Sequence, residues 1–86
     1  MLTDLMTEKT EINETKAEFF ARKAKEYKAL WDYHVSKGNK EATLLAANMW
    51  HAFSFFSTKG EQRQWHFENG NGFARLQAST MAQAYA

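Results

Sequence analysis

The chain predicts an all-α fold, a small three- to four-helix bundle built on a long antiparallel helical hairpin. Three observations carry that expectation. No proline occurs in 86 residues, so nothing in the chain is barred from helical backbone. Apolar residues recur at three- and four-residue intervals from Ile12 to Val35. A second apolar run, Lys40 to Ser57, keeps the same period with no alternation of strand type.

Residues 1–9 lack periodicity and read as a flexible N-terminus ahead of a single helical domain spanning 10–86. The first helix is expected from about Thr10 to Lys37. Ile12, Phe19, Phe20, Ala24, Tyr27, Leu30, Trp31, His34 and Val35 fall within an arc of roughly 160° at 100° per residue. Arg22, Lys25, Lys28 and the acids lie on the other side, and Glu18–Arg22 is spaced as an i,i+4 ion pair. Gly38 supplies the left-handed C-terminal residue, and Asn39 can cap the next helix.

The second helix, about Lys40 to Ser57, has more apolar surface than one neighbour can cover. Ala42, Leu45, Ala46, Met49, Ala52, Phe53 and Phe56 form a stripe suited to the first helix. Leu44 and Phe55 lie on a second ridge beside Asn48 and His51, and are expected to point elsewhere. Thr58-x-x-Glu61 fits a capping box for a short helix over Lys59–Phe67. A final helix is marked by Phe73, Leu76, Thr80, Met81, Ala84 and Tyr85. Across residues 62–77 a β-hairpin turning at Asn-Gly competes with the two helices. Its return strand is poor in β-branched residues, and a lone ribbon is only marginally stable, which favours helix.

The composition narrows the function classes. The chain holds 44% hydrophobic residues and thirteen Phe, Trp and Tyr rings, dense packing for so small a domain. Without cysteine there is neither a disulfide nor a thiolate metal site. No apolar stretch approaches a membrane span, and charge interrupts the N-terminus from Asp4 onward, so a cytoplasmic protein is expected. His34, His51 and His66 share no i,i+3 or i,i+4 spacing, no serine sits in a nucleophile motif, and Gly70-Asn71-Gly72 lacks the lysine of a phosphate loop. No catalytic residue, metal or cofactor is expected.

Net charge is +1, but residues 22–40 carry six basic groups against two acids. A helix with acids early and bases late suits its own dipole. The functional counterpart is an anion or nucleic-acid contact through Arg22, Lys25 and Lys28, with exposed rings as stacking partners. Few bases lie among the rings of residues 42–73, where only Lys59 and Arg63 are basic, so this reading ranks second. The leading expectation is a non-catalytic protein–protein interaction module that self-associates as a homodimer or higher oligomer, or binds a larger protein. Its expected interface is Leu44, Asn48, His51, Phe55 and Trp65. In size and composition the chain is similar to accessory proteins of phages and mobile elements, a likeness that implies binding and blocking a host enzyme or defence complex.

Overall fold

The computed structural model describes residues 14–85, so the expected flexible N-terminus and Ile12 lie outside the described residues. Within them the fold is all-α, as predicted. The elements are α1 (Lys16–Lys37), α2 (Lys40–Ser57), α3 (Gly60–Asn69), α4 (Gly72–Met81) and a closing 3-10 turn (Ala82–Ala84). None of these helices is long and apolar enough to cross a membrane.

Helix α1 begins at Lys16 rather than near Thr10, because Thr15 stops it. The Glu18 N–H donates to Thr15 Oγ1 at 3.1 Å, and the Thr15 N–H donates to Glu18 Oε1 at 2.8 Å, a closed capping box. That bond also removes Glu18 from the expected pair with Arg22, which binds Glu14 and Glu26 instead. At the other end Gly38 has φ 73°, and its N–H and that of Asn39 reach the carbonyls of Val35 and His34. Asn39 then accepts from the Ala42 N–H at 3.1 Å and starts α2.

Residues 62–77 are helical on both sides of the turn, not a hairpin. Asn71 Oδ1 accepts the Ala74 N–H at 2.7 Å, so the Asn-Gly sequence starts a helix. The capping box expected at Thr58 does not form. The Thr58 hydroxyl donates back to the Ser54 carbonyl at 2.7 Å, Lys59 is the N-cap without a side-chain bond, and α3 runs on to Asn69.

Helices α1 and α2 form the antiparallel hairpin, α3 packs on α2, and α4 packs on α2 with its 3-10 extension reaching α1. The core is built from rings and alanines. Phe53 is fully buried among Phe19, Phe20 and Tyr27, with Phe20 stacked on Phe56 at 4.8 Å. Met49, Ala24, Ala52, Ala74, Ala78 and Ala82 complete it. The spacing of Ala74, Ala78 and Ala82 puts the smallest side chains of α4 inward and lets its backbone approach closely. Tyr85 seals that end, its ring 4.5 Å from Phe19 and its hydroxyl donating to Glu14 Oε1 at 2.9 Å.

Candidate functional site

A helix whose inward face is alanine must carry its larger side chains elsewhere. On α4, Phe73 is 69% exposed and Leu76 63%. The same inversion holds across the fold. Every leucine and valine among the described residues is exposed: Leu30, Leu44, Leu45, Leu76 and Val35. Phe19, Phe20 and Phe53, with Met49 and the alanines, occupy the interior, and the leucines and the valine are left on the surface.

That surface has shape. Between α2 and α4, with Tyr27 of α1 as its floor, runs an open groove of about 510 Å3 lined by Leu45, Met49, Leu76, Thr80 and Met81. Phe73 stands one turn before Leu76 on α4. A second groove of about 450 Å3 at the hairpin tip is lined by Trp31, Val35, Thr43, Leu44 and Ala47.

The five residues expected to form one interface differ in exposure. Leu44 is exposed at the hairpin tip and Trp65 half-exposed on α3, while Asn48 is half-buried. His51 is buried. Phe55 is half-buried because α3 and α4 cover its ridge: Phe67 lies 5.8 Å away, and the Arg63 and Arg75 guanidinium groups sit 4.4 and 5.6 Å from its ring. Leu45, assigned to the stripe facing α1, is exposed instead. Phe73, Leu76, Thr80 and Met81, the apolar face expected for the final helix, are exposed as well, because Ala74, Ala78 and Ala82 turn inward in their place.

The basic side of α1 is largely neutralised. Arg22 contacts Glu14 through Nε and Nη2 and Glu26 through Nη1, at 2.7–3.2 Å. The guanidinium holds the Glu14 carboxyl below its usual range, and Lys23 followed by Arg22 does the same for Glu26. Lys28 pairs with Asp32 at 3.0 Å and lies over the Trp31 and Trp50 rings. Lys25 is exposed and in no ion pair among the described residues.

The third feature joins α2 to α3. His51 and His66, both buried, meet Nδ1 to Nδ1 at 3.0 Å. One nitrogen must donate and the other accept, so one proton lies between the rings. Burial lowers the pKa of both, and for His51 the neighbouring His66 lowers it further. Gly70 passes so close that a Cβ there would stand 3.0 Å from the His51 Cβ.

Around the imidazoles stand Trp31, Trp50 and Trp65. Trp50 and Trp65 meet at 74° with centroids 6.2 Å apart. His66 stands at 88° to Trp50 and 74° to Trp65, about 5 Å from each. These three rings line an open groove of about 520 Å3 together with Glu61 and Gln62. Among the described residues no cluster of three or more His, Cys, Asp and Glu side chains could hold a metal ion. In comparisons with protein-family models, curated proteins and solved structures, nothing matches the chain.

Proposed function

We propose that this protein is a non-catalytic interaction module that associates through the aliphatic surface of α2 and α4, in the first instance with a second copy of itself. The observation that carries this reading is a formed groove lined by the exposed Leu45, Leu76 and Met81, with the exposed Phe73 one turn away on α4. Leu45, Phe73 and Leu76 are each about two-thirds exposed, so burying them contributes roughly 1–2 kcal/mol apiece. A two-fold axis presents the same patch twice, giving on the order of 6–12 kcal/mol. Association costs about 4–15 kcal/mol, so these contacts reach the roughly 8 kcal/mol of a micromolar, reversible complex at the upper end of their range. The same face would seat a larger protein partner with an apolar ridge.

The test is the mass in solution. At about 50 μM, above a micromolar dissociation constant, the protein should sediment heavier than its 10.0 kDa monomer. The double variant Leu45→Gln/Leu76→Gln should be monomeric with unchanged helical circular dichroism. A monomeric unmodified protein at that concentration refutes self-association. An oligomer that survives the double variant refutes the assigned surface.

A further inference from the structure

We propose that Trp50, Trp65 and His66, with Glu61 at the rim, form a cage for a methylated ammonium group. Three flat rings, each nearly perpendicular to the other two, bound one corner of a single groove. Two are indoles, the strongest of the aromatic side chains at holding a cation over the ring face. A cation about 4.5 Å from the centroids of two perpendicular rings requires those centroids about 6.4 Å apart, within the range of cation–π attraction. The Trp50–Trp65 separation is 6.2 Å. His66 lies closer, about 5 Å from each indole, and meets both edge to face as the wall they pack against.

The arrangement is preorganised. Nδ1 of His66 is committed to His51, which fixes the plane of the ring from behind. Burial disfavours its charged form, so the ring does not repel a cation at neutral pH. Glu61, exposed on the first turn of α3, has no ion pair with another described residue and lines the same groove. The Lys28 ammonium lies over Trp31 and Trp50 but is not part of the groove lining.

Methylation of the ligand follows from the lining. A primary ammonium brings three donors, and those turned toward the rings lose their hydration on entry. Beyond the rings, the groove has only Glu61 and Gln62 to replace that water. A trimethylammonium group brings no donor, and its methyl surface packs on the indoles. None of the cage residues lines the groove between α2 and α4, so the inference is independent of self-association.

The probe is tetramethylammonium, titrated into the full chain by calorimetry and by the shifts of the indole N–H resonances. Saturable binding below about 10 mM is expected, with the Trp50 and Trp65 resonances moving together. Choline and a trimethyllysine peptide are the two further arms. Tighter binding of either identifies the source of the group, a free metabolite or a modified protein. The neutral isostere 3,3-dimethylbutanol should bind roughly tenfold more weakly than choline, equivalent to about 1.4 kcal/mol from the indole faces. Trp65→Ala should abolish binding with unchanged circular dichroism, and Glu61→Gln should weaken it severalfold. Equal binding of the neutral isostere, retention of affinity in Trp65→Ala, or no saturation by tetramethylammonium overturns the proposal.

Discussion

Lowering the pH from 7.5 to 5.5 should destabilise the fold through one contact, His51 to His66. Both imidazoles are neutral when folded, with pKa values below the ordinary 6.5. In the unfolded chain they titrate near 6.5 and take up protons as the pH falls, which favours unfolding. The contribution of the pair is therefore complete above about pH 6.5 and declines below it. For one imidazole kept neutral in the fold, linkage gives about 1.4 kcal/mol lost at pH 5.5. The 3.0 Å contact has room for one shared proton and not for two, so a second imidazole kept neutral raises the loss to at most about 2.8 kcal/mol. The ion-paired Glu14 and Glu26 have lowered pKa values, and their contribution declines only as the pH falls through the carboxylate range, below this window. Urea unfolding at several pH values, followed by circular dichroism at 222 nm, measures the effect. His66→Asn keeps a polar partner for His51 and should flatten the slope. An unfolding midpoint unchanged between pH 7.5 and 5.5 would refute the buried, proton-sharing pair.

Two further substitutions test the packing. Gly70→Ala places a methyl group 3.0 Å from the His51 Cβ and 3.1 Å from the His66 carbonyl, which should lower stability by roughly 1–3 kcal/mol in urea unfolding. Phe53→Ala removes the fully buried ring at the centre of the core and should lower stability by roughly 3–5 kcal/mol, detected by loss of the cooperative thermal transition.

The parts of the fold legible in the sequence are those decided locally. The helical state of α1, the left-handed Gly38 and the Asn39 cap need only neighbouring residues, and all three are in place, whereas Leu30 and Val35 of the α1 apolar arc are exposed. Where one side chain had two local options, sequence could not choose between them. Glu18 can pair with Arg22 or close the Thr15 box, and the box spends it. The Thr58 hydroxyl can cap α3 or bond back to Ser54, and it bonds back. The orientation of α2 was harder to read, because a helix apolar on several sides does not declare its inward ridge. The rings decide it: Phe53 and Phe56 engage Phe20 and Tyr27, α3 and α4 cover Phe55, and Leu45 is left outside. The histidine pair was invisible to a search by helical spacing, since its members lie fifteen residues apart on different helices.

The clustering of Trp31, Trp50 and Trp65 around His51 and His66 also determines what light reports from this molecule. All three tryptophans of the chain sit in that one cluster, which joins α1, α2 and α3. None lies on α4. Intrinsic fluorescence therefore follows the histidine end of the bundle, whereas detachment of the alanine face of α4 would register in circular dichroism and in the environment of Tyr85. Coincident fluorescence and dichroism transitions would show that the two ends melt as one cooperative unit. A dichroism change preceding the fluorescence change would identify α4 as the first element to leave.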